Sequence, residues 1–195
     1  ASKGGVISLT RTIAREFGKF VLDGQVYKGL KPVHWCTHCV TALAEAEVEY
    51  ADSISPSIFI KFKVENMPAA AGVEDINNLF VLIWTTTPWT LPANVAMAFN
   101  PDNDYVIVQS GTEKYIIAEK LLEKVSATAG LKDYKVLKKI RGKNLEGIEA
   151  KNPLMPRRSR GILGGFVSME DGTGVVHIAP GHGVEDYNAG LKYNL

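Results

Sequence analysis

A chain of 195 residues, 46% hydrophobic and 22% charged, has the composition of an ordinary soluble globular domain and enough apolar material for one sizeable core. No apolar run approaches the roughly 20 residues needed to cross a bilayer, so no membrane role is expected. The net charge of +1 conceals an asymmetry: residues 132–160 hold ten basic side chains against three acids, +7, and the remainder carries −6.

The N-terminal ASKGGVISLTRTIAREF lacks the apolar centre and small-residue cleavage site of a secretory signal. Residues 6–22 place Val6, Ile7, Leu9, Ile13, Phe17, Phe20 and Val21 on one face of an amphipathic helix, which Asp23-Gly24 ends. Extended segments are expected at 26–28, 31–35, 44–50 and 58–64, the last with clean period-2 alternation. A small-residue loop at 67–72 precedes the most apolar run, 79–84, which reads as a buried strand. A hairpin about Ser110-Gly111 joins strands at 105–108 and 114–117, and a helix follows at 118–129. Strands at 134–140, 161–167 and 174–178 and a closing helix at 184–193 complete the chain. Many short strands with few helices predict a β-rich α+β fold, a barrel-like or closed sheet with peripheral helices. The expected division is an N-terminal helix with a connective segment at 1–50 and a core at 51–195. Both ends fall in helical patterns, as in a segment excised from a larger protein. There is no internal repeat, and neither GxGxxG nor GxxxxGK[ST] occurs, so a nucleoside triphosphate has no visible seat.

WTTTPWTLPAN, residues 84–94, ends the apolar run in a cluster of hydroxyls. Strand alternation turns Thr85 and Thr87 to one side and Thr86 to the other, while Pro88 holds Thr87 extended. Thr90 is then expected at an N-cap, with Pro92 in the first turn of a short helix and Asn94 one turn on. Such a corner of hydroxyls and free N–H groups suits a sugar hydroxyl, an ester carbonyl or a developing oxyanion. A Thr-rich turn that merely caps a strand has the same residues.

GTGVVHIAPGHGVEDY, residues 172–187, reads as a strand ending at His177, a Pro-Gly turn, and a helix opening near Gly183 with Glu185 and Asp186 in its first turn. His177, His182 and Asp186 lack the spacing of a catalytic zinc set. A carboxylate free to pair with an ammonium, beside a pocket-shaping histidine, fits better; helix-end stabilisation is the simpler role for Asp186.

The only cysteines, Cys36 and Cys39, form CTHC, which excludes a disulfide framework and favours a reducing cytoplasm. A CxxC is half of a zinc knuckle; His34 and His38 lie too close in sequence to complete it with tetrahedral geometry.

KPVHWCTHCVTALAEAEVEY, WTTTPWTLPAN and GTGVVHIAPGHGVEDYNAGLKY, in that order, resemble the editing (CP1) insertion of bacterial-type isoleucyl-tRNA synthetases of class I, across residues 26–193. The synthetase signatures HIGH and KMSKS are absent, which suits an insertion without its catalytic body. The resemblance implies hydrolysis of misacylated valyl-tRNA(Ile), and in some members valyl-adenylate. Thr86, Thr87 and Asp186 would be the catalytic residues. Trp84, Thr85, Thr90, Asn94, His177, Gly181, His182 and Gly183 would bind substrate. Among these the threonines and Asn94 would cradle the terminal adenosine and ester, Asp186 would hold the α-ammonium, and His177 would help exclude isoleucine. No side chain is an obvious general base, so a water held by threonines and ribose hydroxyls is expected. The implied partners are the tRNA(Ile) 3′ end, the valine moiety and the rest of the synthetase. Cys36 and Cys39 would be a zinc half-site, empty in this chain and completed downstream in the full-length enzyme; no other cofactor is implied. The basic stretch is a plausible tRNA-facing surface. A valyl-tRNA synthetase domain acting on threonyl-tRNA(Val) shares TTTPWT but carries Lys-x-Thr-Pro where this chain has His177-Ile-Ala-Pro180. A non-catalytic tRNA-binding module is the remaining alternative.

Overall fold

The computed structural model describes residues 2–195. They form two compact units, Ala1–Lys31 and Pro32–Leu195. The first is built on α1 (Ser2–Leu22), whose Phe17 and Phe20 rings stack at 5.8 Å. Gly24, at φ 71°, turns the chain out of the helix, where a left-handed residue costs glycine least. The strand expected at 26–28 does not form: the Val26 N–H is spent on the Phe20 carbonyl at the helix end.

The second unit opens with a two-stranded hairpin, β1 (His34–Cys36) and β2 (Thr41–Leu43), wrapped around CTHC. The strand expected at 44–50 is instead a single 3-10 turn, Glu45–Glu47, because the Glu47 carboxylate takes the Ala44 N–H at 2.7 Å.

Nine further strands make one sheet: β3 (Ile58–Asn66), β4 (Leu79–Thr85), β5 (Ala96–Phe99), β6 (Asp104–Ser110), β7 (Glu113–Ala118), β8 (Lys135–Arg141), β9 (Glu149–Lys151), β10 (Arg158–Leu163) and β11 (Val175–Ile178). Their spatial order is β11-β5-β10-β9-β3-β4-β7-β6-β8, with only β5–β10 and β4–β7 parallel. The sheet curls until β11 lies against β4, giving a barrel-like core whose seam there has no ladder. Alternate residues of β3, Phe62 and Val64, and nearly all of β4 enter that core with Phe99, Tyr105 and Ile116. Each such side chain contributes roughly 1.5–3 kcal/mol by leaving water. Two helices stand outside the sheet, α2 (Leu122–Ala129) and α3 (Val184–Tyr193).

Three strands were not expected. β2 is three residues long and exists only by pairing with β1 across the CTHC turn. β5, Ala-Met-Ala-Phe, is buried on both faces and too short to show a period; β9, Glu-Ala-Lys, is three residues held by partners on either side. β10 starts at Arg158 rather than 161, since Arg158 and Arg160 point outward while Ser159 and Gly161 are buried. The basic stretch is therefore divided, with β8 at one edge of the sheet and β9 and β10 near the other. Acids neutralise part of it: Arg158 lies between Glu65 (3.0 Å) and Glu149 (2.9 Å), and Lys139 between Asp104 (3.2 Å) and Glu119 (2.6 Å).

Candidate active site

One wall of the site is the corner after β4. Thr85 ends the strand buried, and Pro88 opens a six-residue 3-10 turn to Ala93 with Thr87 in the N-cap position. Thr90 is thus inside the turn and not its cap, because Pro88 at the first position starts the turn early. Its hydroxyl donates back to the Thr87 carbonyl at 2.8 Å. The Thr87 N–H donates to Thr85 Oγ1 at 3.0 Å, and the Thr85 and Thr87 hydroxyls stand 3.3 Å apart on one side of the corner. Thr87 itself, at φ −125° and ψ 61°, is not held extended before Pro88 as expected, because the chain already turns there into the 3-10 segment. Thr86 and Thr87 remain exposed.

The facing wall comes from residues 172–176, His177 on β11 and Asp186 in the first turn of α3. Thr90 Oγ1 lies 2.9 Å from His177 Nε2. The single Thr90 proton goes to the Thr87 carbonyl, so Nε2–H is assigned as the donor, which makes Nδ1 the basic nitrogen. That Nδ1 is buried without a hydrogen-bond partner. Burial pushes the His177 imidazole below its ordinary value, against the pull of the Asp186 charge, so the ring is neutral at pH 7.

Asp186 Oδ2 accepts the Ala179 N–H at 3.0 Å. Burial raises its carboxyl above the usual range; the Ala179 bond and nearby His177 offset part of the rise. Gly183 makes room for it, since a Cβ there would lie 3.3 Å from Asp186 Cγ. The two walls enclose a cleft of about 360 Å3. Trp84, Thr85, Thr86 and Thr87 face His177 and Asp186 across it. The size suits a small-molecule or nucleotide-end ligand.

Five expected site residues lie elsewhere. Thr90 backs the cleft through His177 without lining it. Gly181, His182 and Gly183 form the turn into α3 and also stay outside the lining. Asn94 is fully buried and is corrected from a ligand residue to a structural one. Its Nδ2 donates to the Ala96 carbonyl at 2.8 Å, and its Oδ1 accepts the Ser159 hydroxyl. A neighbouring buried amide, Asn152, takes the Leu154 and Met155 N–H groups at 2.9 and 3.0 Å, fastening the basic loop. Asn94→Leu leaves the Ser159 hydroxyl unpaired in the core and removes the side-chain bond to the Ala96 carbonyl, at a cost of about 1–3 kcal/mol. Urea titration measures the loss. A variant of unchanged stability whose folded molecules are inactive would return Asn94 to the binding site.

Sequence reasoning did not single out Ser168, Asp171, Thr173, Val175 and Val176, which line the cleft. The available signal was the close spacing of Gly172 and Gly174 in the sequence; in the structure both sit at φ 74°, where bare backbone is presented.

Away from the cleft, Cys36 Sγ accepts the Cys39 N–H at 3.3 Å. Backbone N–H groups of Cys39 and His38 hold the Cys36 thiol below its ordinary value. Two thiols on such a turn fit half of a tetrahedral zinc site, and no third His, Cys, Asp or Glu joins them among the described residues.

Residues 7–153 match the family model for class I tRNA synthetases (I, L, M and V). The chain is 52% identical over 179 residues to the isoleucine--tRNA ligase of Moorella thermoacetica, covering 92% of this chain and 19% of that protein. With the isoleucine--tRNA ligase of Desulfotalea psychrophila it shares 48% over 193 residues, 96% of this chain and 20% of the relative. It thus spans about a fifth of the length of these relatives. Among solved structures, GlLeuRS-CP1 superposes with a TM-score of 0.58 at 18% identity, covering 70% of this chain and 60% of that one. The P. knowlesi cytosolic leucyl-tRNA synthetase editing domain gives 0.57 at 18%, with 67% and 59% covered. The chain therefore belongs to the class I tRNA synthetases of the I, L, M and V group and has the fold of their editing domains.

Proposed function

We propose that the cleft hydrolyses the ester of misacylated tRNA, clearing valine from tRNA(Ile). The observation that supports it is the convergence of the Thr85–Thr87 corner with Asp186 and His177 on one cavity. An aminoacyl ester needs a partner for its ammonium, donors for its carbonyl and ribose, and a bounded space for its side chain. Asp186 supplies the first, as a charge-assisted pair in a half-buried setting. The threonine hydroxyls and the N–H groups of the corner supply the second. His177, neutral and fixed by Thr90, bounds the third.

Hydrolysis then runs as addition and elimination. A water oxygen held by the threonine corner adds to the ester carbonyl carbon, and the oxyanion is met by donors already in place. The bond from that carbon to the ribose oxygen breaks, the ribose oxygen takes up the proton the water loses, and free valine and tRNA leave. The need for a second site is physical. A pocket that accepts isoleucine rejects valine by only about 1–3 kcal/mol, a general limit for which this pair is itself the usual illustration.

Deacylation of valyl-tRNA(Ile), isoleucyl-tRNA(Ile) and threonyl-tRNA(Val) by the chain tests the reading. Fast release from the first alone is expected. Preference for the third moves the assignment to valine-type synthetases, and binding without release to a tRNA-binding module. Release of valine from valyl-adenylate reports whether the same cleft clears it. The remainder of a longer synthetase chain and the cytoplasm are the partner and compartment this function requires.

Cys36 and Cys39 would hold half of a structural zinc in that longer chain, adding only stability to the β1–β2 hairpin. The 195-residue chain is accordingly expected to bind well under one zinc per molecule. Mass spectrometry of the native chain that finds one tightly held zinc sinks this assignment.

A further inference from the structure

Residues 172–174 form part of the cleft wall yet belong to no strand or helix. Gly172 and Gly174 sit at φ 74°, where any side chain is strained; a Cβ on Gly172 would crowd the Trp84 ring at 3.2 Å, and one on Gly174 would lie 2.3 Å from Ala118 Cβ. Bare backbone therefore faces the cavity, and backbone without side-chain anchors must be held from behind.

Two bonds hold it. The Ala118 N–H donates to the Thr173 carbonyl at 2.9 Å, and the Tyr105 hydroxyl donates to the Gly174 carbonyl at 2.6 Å. Tyr105 is fully buried, with its ring edge-on to Phe99 at 5.4 Å between centroids. Its oxygen also accepts the Asn100 N–H at 2.8 Å, so a single hydroxyl satisfies two backbone groups from distant parts of the chain. The phenol is pushed well above its ordinary value by burial, and it stays a donor at any working pH.

We propose that Tyr105 is a positioning residue whose bond to the Gly174 carbonyl fixes the 172–174 wall and thereby the upper size limit of the amino-acid side chain admitted. The proposal rests on the deacylase reading. Tyr105 touches neither substrate nor reacting atoms; it acts through the wall. Valine and isoleucine differ by one methylene, so the limit is kept only by a wall placed to a fraction of an ångström. Close-packed interiors convert a small backbone shift directly into room for such a group.

The test compares kcat/KM for valyl- and isoleucyl-tRNA(Ile) in the wild-type chain and in Tyr105→Phe, at a temperature where circular dichroism shows both folded. Phenylalanine keeps the ring and leaves the wall held by the Ala118 bond alone. The isoleucyl-to-valyl ratio is expected to rise about tenfold, chiefly by gain on the isoleucyl ester, with valyl turnover falling less than about threefold. A merely structural hydroxyl would lower the melting midpoint and leave the ratio alone; that result overturns the proposal. Ala118→Ser pushes the same wall inward and decides the matter if Tyr105→Phe does not fold. A falling ratio with slower valyl release supports the proposal, and an unmoved ratio overturns it. A wild-type chain with no preference for the valyl ester removes the deacylase reading and this inference together, whereas a selective wild type with unmoved variants removes the inference alone.

Discussion

Asp186→Asn is expected to lower kcat/KM for valyl-tRNA(Ile) by about 30–300-fold while leaving the melting midpoint at pH 7 at or above that of the wild type. Removing one member of a desolvated charge pair costs about 2–5 kcal/mol, and the lower part of that range applies to a half-buried group. The stability side has the opposite sign. Burial raises the Asp186 carboxyl in the folded chain above its unfolded value, so its contribution is fully present below the unfolded pKa and is lost as pH rises through the folded one. At neutral pH the ionised carboxylate thus strains the fold, and asparagine relieves it while still accepting the Ala179 N–H. The charge at the α3 N-terminus works against this by about 0.3–1 kcal/mol, but the net upward shift shows that desolvation outweighs it. The same shift predicts an acid limb in the wild-type rate with its midpoint above the ordinary carboxylate value near about 4, absent from the residual activity of the variant. A midpoint several degrees lower with activity retained would make Asp186 only a helix-end residue.

What the sequence made legible follows from where local rules decide. The period-2 alternation of β3, the apolar run of β4 and the hairpin around Gly111 were readable because each pattern is long enough to exclude a helix. β5 and β9 were not, since strands of four and three residues exist only through their neighbours on both sides. The segments 26–28 and 44–50 failed for the converse reason: apolar or alternating side chains suggested extension, and local hydrogen bonds to Phe20 and Glu47 claimed the backbone first. The site divides in the same way. Thr87 and Asp186 were nameable because their motifs and the family resemblance identify them, and the cavity does contain both. Asn94 carried the same motif signal, yet a buried amide that binds Ser159 looks no different in sequence from one that binds a ribose. Thr90 was misplaced by two steps of chemistry. It is not a cap but the link that joins Thr87 to His177 across the seam between β4 and β11, a relation no linear pattern contains.

Gly142→Ala is expected to destabilise the fold by at least about 3 kcal/mol, lowering the melting midpoint by roughly 10 °C in a chain of this size. The reason is steric and not conformational, because Gly142 is absent from the left-handed residues. A Cβ there would lie 1.9 Å from the Asn100 carbonyl oxygen and 2.9 Å from Tyr105 Cε2. The backbone oxygen cannot swing aside as a side chain would, since Asn100 is fastened at three points: its N–H to Tyr105, its Nδ2 to the Val167 carbonyl at 2.9 Å, and its Oδ1 to the Asp102 N–H at 3.0 Å. Gly165→Ala is the control, with open space about it and an expected change within about 0.5 kcal/mol. Equal midpoints for the two variants would mean the turn at 142–145 yields freely. The displaced atoms are also those that hold Tyr105. Whatever fraction of Gly142→Ala folds at low temperature should therefore share the relaxed isoleucyl-to-valyl ratio of Tyr105→Phe, and a folded variant with wild-type selectivity would show that the Asn100–Tyr105 joint does not reach the cleft.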